Sequence, residues 1–330
     1  MNSIDHYIKS LLKDKKLENP NSFEELGYIF FGPLLFNFFI WLKSEIESDE
    51  LILFNSREGY FLKEIYEIFK TKYDLPDGVY FKTSRKISTI ASIFEESDVY
   101  RTFELHRYSG KISNLLNDRF GIKSNENYQI DTTLEIPNLN KYIDDILTNA
   151  QRVRLDYGKY IKNIITDKKK VVMIDSGYQG TTQYNIQKAF GLELKGRYIN
   201  YKGNKNLSNV NGFYDFHKTN FQKNIIFFES IFTDKVGSYI DIIGNEFINE
   251  EVDLTKQYFD EKIKIINGIK QFIKEMLDTN FDEKSVSYEY ADSIFNLMCS
   301  KDYIKNKKLF DIFFHDNYYV RDVIKKIERK

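Results

Sequence analysis

One cysteine, Cys299, stands in 330 residues. A single thiol excludes an internal disulfide framework and a cysteine-based metal site. Its place in Phe295-Asn-Leu-Met-Cys299 reads as a small apolar core position. Proline is scarce at four residues, and glycine stands at sixteen, which argues against long disordered linkers. Neither sign of charge dominates. Lys and Arg number 48 against 49 Asp and Glu, so the net charge is −1 and no global field draws in nucleic acid. The four histidines, His6, His106, His217 and His315, lack ligand spacing to one another or to Cys299. The opening Met-Asn-Ser-Ile-Asp-His lacks a signal-peptide pattern, so the cytoplasm is the expected compartment. There is no internal repeat and no low-complexity tract.

Long uncharged runs are also few. The one that needs a membrane test is Leu26 to Leu42, 17 residues, at the short limit for a span of about 20. Gly32-Pro33 and Asn37 interrupt it, and Glu24-Glu25 and Lys43 flank it. A buried helix or helix pair is expected, with at most peripheral membrane contact.

What the chain does have is apolar and aromatic bulk. Hydrophobic residues make up 42% of it, including 24 Tyr and 28 Phe, enough for one large domain or a core with an accessory domain. Residues 1–20 read as a short amphipathic helix with Ile4, Tyr7, Ile8, Leu11 and Leu12 on one face. Ser22 and Glu25 fit a capping box for a helix over 23–47, interrupted near Gly32-Pro33. Leu51 to Phe54 reads as a buried strand, Tyr60 to Tyr73 as a helix, and Val79 to Thr83 as a second strand. This is a β–α–β unit, expected to be parallel and right-handed. Residues 87–165 read as a helical insertion. Val171 to Ile174 is another buried strand, followed by a helix through Phe190 and a strand over Lys195 to Tyr201. The stretch from Gly203 to about 250 reads as irregular. Phe259, Ile263, Ile266, Ile269, Ile273 and Leu277 keep helical spacing, and so do Leu309, Ile312, Phe313, Val320, Val323, Ile324 and Ile327.

Three strand ends carry polar residues suited to anions. They are Asn55-Ser56-Arg57-Glu58-Gly59, Ser84-Arg85-Lys86, and Asp175-Ser176-Gly177-Tyr178-Gln179-Gly180-Thr181-Thr182. In an open parallel sheet, ligands bind beyond such carboxyl ends. The last stretch places a carboxylate and a glycine-bracketed turn before a helix, whose start offers unpaired N–H groups to a phosphate. It is not a P-loop, since no Lys precedes Thr181. It is not a dinucleotide fingerprint, since only two of its glycines are present. Arg57 and Arg85 suit a diphosphate through forked hydrogen bonds. The set fits a sugar with phosphates at both ends.

Here the residues resemble a family. The order of elements, with Ile174-Asp-Ser-Gly-Tyr-Gln-Gly-Thr-Thr182, resembles the phosphoribosyltransferase fold and its donor loop. Common members carry two adjacent acids there, whereas Ser176 holds the second position. The chain is more closely similar to the glycan phosphoribosyltransferase module of bacterial dual-domain ribofuranosyltransferases. Gly27-Tyr28 with Gly32-Pro33, Ser56 to Leu62, Ser84-Arg85, Asp175 to Gln183, and Glu229 with Gly237-Ser238 carry that likeness. The phosphatase module that usually accompanies it is not seen: no strand followed by Asp-x-Asp-x-Thr/Val occurs.

The resemblance implies an α/β fold with a phosphoribosyltransferase-like parallel sheet core. The core with its N-terminal helices and the insertion 87–165 covers 1–250, and a helical region over 251–330 packs on it. The implied activity is transfer of a 5-phosphoribosyl group from phosphoribosyl diphosphate (PRPP) to a hydroxyl of a bacterial surface glycan, as in capsule or O-antigen synthesis. The acceptor is expected to be lipid-linked, and a separate phosphatase is an expected partner. The inner face of the cell membrane is left open as the working surface. Asp175, Arg57, Arg85, Glu58 and Glu229 are the catalytic candidates, the general base being open among Asp175, Glu58 and Glu229. Glu229, after the apolar run Ile225 to Phe228, is expected at a strand end. Donor binding falls to Ser56, Gly59, Ser84, Lys86, Ser176, Gly177, Tyr178, Gln179, Gly180, Thr181 and Thr182. Mg²⁺ is expected to bridge the diphosphate, with its ligands unassigned. A nucleotide-sugar glycosyltransferase and a non-catalytic phosphoribosyl-binding module are the alternatives.

Overall fold

The computed structural model describes residues 2–17, 19–105, 107–165, 170–219, 221–250 and 258–300, together with Leu309 and Ile312. Its N-terminal part runs β1 (Asn2–Ser3), α1 (Ile4–Leu12), α2 (Phe23–Leu26), a π-helical turn (Gly27–Phe31) and α3 (Gly32–Glu45). Ser22 caps the helix as expected, its hydroxyl accepting from the Glu25 N–H at 3.1 Å, but the Glu25 carboxylate reaches one residue beyond the capping-box position and accepts from the Asn21 N–H at 2.7 Å. The wide turn sits just before Pro33, which has no N–H to give the helical ladder. Helix Phe23–Glu45 is long and apolar enough to cross a membrane by length and composition, yet its most apolar window is 89% buried inside the protein.

Next come β2 (Leu51–Asn55), α4 (Gly59–Lys70) and β3 (Gly78–Phe81). The insertion expected over 87–165 is helical: α5 (Arg85–Ala91), α6 (Glu96–Leu105), α7 (Ile112–Phe120) and α8 (Ile143–Ile164), with a small ribbon of β4 (Ser109–Lys111) and β5 (Gln129–Asp131). Then follow β6 (Val171–Tyr178), α9 (Thr181–Phe190), β7 (Leu194–Tyr201), β8 (Val210–Asp215), α10 (Phe221–Phe232), β9 (Tyr239–Ile243) and β10 (Glu246–Asn249). The described chain closes with α11 (Phe259–Leu277), β11 (Phe281–Asp282) and α12 (Glu289–Met298). The apolar stripe from Leu309 to Ile327 lies outside the described residues, apart from Leu309 and Ile312.

Five strands form one parallel sheet in the order β3-β2-β6-β7-β8. Both faces are covered, so its central strands read as continuous apolar runs. Ile52, Phe54, Val172, Ile174 and Ile199 face a core with α3, α4, α10, α11 and α12. Leu51, Leu53, Val171, Met173 and Leu194 face a second core with α5, α7, α8 and α9. The result is a three-layer α/β/α arrangement. In the first layer a Cβ on Gly27 would lie 2.0 Å from the Ile265 carbonyl oxygen, and one on Gly268 1.8 Å from that of Glu24. These glycines let α11 touch the 24–27 backbone.

The stretch 203–250 is not irregular. It supplies the edge strand β8, helix α10 and the β9–β10 hairpin. A short apolar run does not distinguish a strand from a buried helix. In α10 the residues Phe221, Ile225, Phe228 and Ile231 are all buried, so the run reads as core helix once its neighbours are in place.

Candidate functional site

The crossover from β2 to β3 runs through α4 on one face of the sheet, and that from β6 to β7 through α9 on the other. Strands β2 and β6 are neighbours. The loops leaving them therefore part in opposite directions and open a crevice beyond their carboxyl ends, where doubly wound sheets bind ligands.

Three carboxylates approach one another there. Asn55, the last residue of β2, donates from Nδ2 to Asp175 Oδ2 at 2.7 Å across the two strands. The Ser176 hydroxyl lies 3.4 Å from Asp175 Oδ1 and 3.5 Å from Glu229 Oε1. Glu58 is buried in the loop after β2, with Oε1 3.9 Å from Arg57 Nη2. Burial pushes the Glu58 carboxyl up to about 8. The Arg57 guanidinium opposes that rise, and the charges of Glu229 and Asp175 add to it. Asp175 keeps part of its surface open, yet its carboxyl is enclosed closely enough for burial to raise its pKa. The Asn55 amide, the N–H groups of Gly177 and Ser176, and the charge of Arg85 hold that rise back.

The turn after β6 depends on its glycines. Gly177 has φ +153°, and a Cβ there would lie 2.5 Å from the Asn200 carbonyl oxygen. Gly180 has φ +64° and is the N-cap of α9, so no side chain caps the first turn of that helix. The first-turn N–H groups thus lack an N-cap side-chain acceptor, next to the half-buried Thr181 and Thr182. Gln179 is exposed, and its carbonyl accepts from Asn204 Nδ2 at 2.8 Å. Tyr178 is the last residue of β6.

Arg57 is one of two non-glycine residues with positive φ among the described residues, at +74°. Such a conformation costs about 1–2 kcal/mol in an L-residue. Its N–H donates to Tyr80 Oη at 3.1 Å, which holds the turn in place. Strain of this kind concentrates at functional sites.

Several expected donor residues have other work. The Ser56 hydroxyl is buried, donating to the Thr83 carbonyl and accepting from the Thr83 N–H at 3.2 Å. It ties the first two strand ends together and is not open to a diphosphate. Ser84 caps α5, accepting from the Ile87 N–H at 3.0 Å. Gly59 gives space rather than contact: a Cβ would lie 2.6 Å from the Phe54 carbonyl carbon. Lys86 is half-buried, and burial lowers its pKa. The charges that act on it are those of Asp118, Asp241 and Glu250, away from the Asp175 group. Arg85 is exposed in the first turn of α5, and its charge reaches Asp175. Glu229 stands on helix α10, not at a strand end, because the apolar run before it is helical. It reaches the crevice all the same, across from Ser176. Asn55 was legible as a strand end but not as a partner of Asp175. Tyr80 and Asp234 gave no sequence signal of a site.

Among the described residues no group of three or more His, Cys, Asp or Glu is arranged to hold a metal ion. A divalent cation riding on a diphosphate needs only one or two protein carboxylates, the phosphates and water supplying the rest. Asp175 and Glu229 fit that limited role. No protein-family model matches the chain, and no curated protein matches it.

Proposed function

We propose that this protein transfers a 5-phosphoribosyl group from phosphoribosyl diphosphate to a hydroxyl of a surface glycan. The observation that carries the reading is one crevice that collects the uncapped α9 turn, the Asp175–Asn55 pair and the charges of Arg57 and Arg85. In it the 5-phosphate lies on the N–H groups of the α9 first turn and the hydroxyls of Thr181 and Thr182. Asp175 takes the ribose hydroxyls. Ser56 and Ser84 are otherwise engaged, and the guanidinium charges of Arg57 and Arg85 hold the diphosphate, whose negative charge grows as it departs.

The step balances simply. The acceptor oxygen bonds to C1 of the ribose, the C1–diphosphate bond breaks with its electron pair on the diphosphate, and the acceptor proton passes to Asp175 or Glu229, since burial leaves Glu58 already protonated at neutral pH. Bound Mg²⁺ would supply charge neutralisation on the leaving diphosphate, held by Asp175 or Glu229. The acceptor is a lipid-linked glycan at the inner face of the membrane, and removal of the 5-phosphate falls to a separate phosphatase.

Thermal unfolding with Mg²⁺ and either phosphoribosyl diphosphate or nucleotide diphosphosugars tests the reading. A stabilisation by the first and none by the second is expected. The reverse order would move the protein to nucleotide-sugar chemistry.

A further inference from the structure

A second cleft is joined to the donor loop through Tyr80, which accepts from the Arg57 N–H. Its volume is about 400 Å³, within the range of about 300–1,000 Å³ usual for small-ligand sites. Tyr60, from the first turn of α4, and Tyr80, from β3, line one side with their rings edge to face, 5.9 Å apart. Tyr239 and Phe247 of the β9–β10 hairpin line the other, 5.0 Å apart. Asp234, 3% exposed, closes the floor and accepts from Tyr80 Oη at 3.1 Å. Asn249 adds an Oδ1 that is shut from solvent and has no hydrogen-bond partner among the described residues.

This is the chemistry of carbohydrate recognition. Aromatic rings offer faces to the C–H side of a sugar, while a buried carboxylate and an amide oxygen take its hydroxyl protons. The position is also telling. Tyr80 Oη accepts from the N–H of strained Arg57 and donates to Asp234, so two hydrogen bonds link the cleft floor to the donor loop. Lys82 and Lys235 also line the cleft and are exposed; Lys82 Nζ stands 5.5 Å from the centre of the Phe247 ring, which leaves Tyr60 and Tyr80 as the open aromatic side.

We infer that this cleft is the acceptor subsite, taking a neutral pyranose ring against Tyr60 with a hydroxyl hydrogen-bonded to Asp234. The role as acceptor rests on the donor reading above; the sugar-binding chemistry of the cleft does not. Asp234 here is a hydroxyl acceptor, and burial that raises its pKa is in keeping with its enclosure by Tyr80 and the chain at Lys235 and Val236.

The test is saturation-transfer difference NMR on the full chain with methyl glycosides of glucose, galactose, mannose and N-acetylglucosamine. At least one is expected to bind wild type, and its signal should fall at least tenfold in Tyr60→Ala and in Asp234→Asn. Tyr60→Phe should keep the signal, because it keeps the ring. Unchanged melting temperatures identify variants that have not simply lost their fold. Absence of binding by all four glycosides, or binding that survives both substitutions, overturns the inference. Phosphoribosyl diphosphate titrated into wild type separates the two claims. Glycoside binding without donor binding removes the donor reading and the acceptor role but keeps the sugar site. Donor binding with no glycoside bound removes the cleft alone.

Discussion

Glu58 provides a prediction that can be worked through from the structure. Its carboxyl is buried beside Asp175 and Glu229, and its pKa rises from 4.5 to about 8 on folding. A carboxyl raised in this way favours the folded state while protonated. Its contribution is complete below pH 4.5 and is lost as pH rises through about 8. At about 1.4 kcal/mol for each pH unit, the full linkage approaches about 5 kcal/mol, and about 4 of these fall between pH 5 and 8.5. Glu58→Gln keeps the shape of the protonated acid and cannot ionise. The variant should match wild type at pH 5 and exceed it by up to about 4 kcal/mol at pH 8.5. With an unfolding entropy near 0.7 kcal/mol/K for a chain of this size, that is about 6 °C in melting temperature. Thermal unfolding of both proteins across this pH range decides it. Parallel curves would refute a proton held at Glu58.

Arg57 should show an inverted glycine effect. At φ +74°, Arg57→Gly should be about 1 kcal/mol more stable than Arg57→Ala by urea unfolding, while both lose donor affinity. Gly177→Ala should destabilise by at least about 2 kcal/mol and weaken donor binding, since its Cβ would meet the Asn200 carbonyl at 2.5 Å. Two neighbours should separate by role. Ser84→Ala removes an N-cap and should cost about 1 kcal/mol by denaturant unfolding, whereas Arg85→Ala should leave stability within about 0.5 kcal/mol and weaken donor binding in a titration.

The sheet was largely legible because its signals are local. Leu51 to Phe54 and Val171 to Ile174 are short apolar runs ended by polar turns, and a parallel sheet buried on both faces requires such runs. The glycine turn before Thr181 was legible for the same reason, since positive φ at Gly177 and Gly180 is written in the residue type. What escaped was decided by distant partners. Ile225 to Phe228 becomes helix because α12 and the 27–31 turn cover it, and nothing within the run says so. Ser56 and Ser84 looked like anion ligands, yet each hydroxyl is claimed by backbone once the strand ends meet. Asn55, Tyr80 and Asp234 matter through hydrogen bonds to residues 120, 23 and 154 positions away in sequence, which only the assembled fold reveals.

The central claim is that the crevice between β2 and β6 holds a phosphoribosyl diphosphate. Calorimetric titration of that donor with Mg²⁺ into wild type, Asp175→Asn and Arg85→Ala addresses it most directly. Saturable one-to-one binding to wild type, weakened at least tenfold in both variants with their folds retained, is the expected result. No heat of binding in wild type, or equal affinity in all three proteins, would contradict the account.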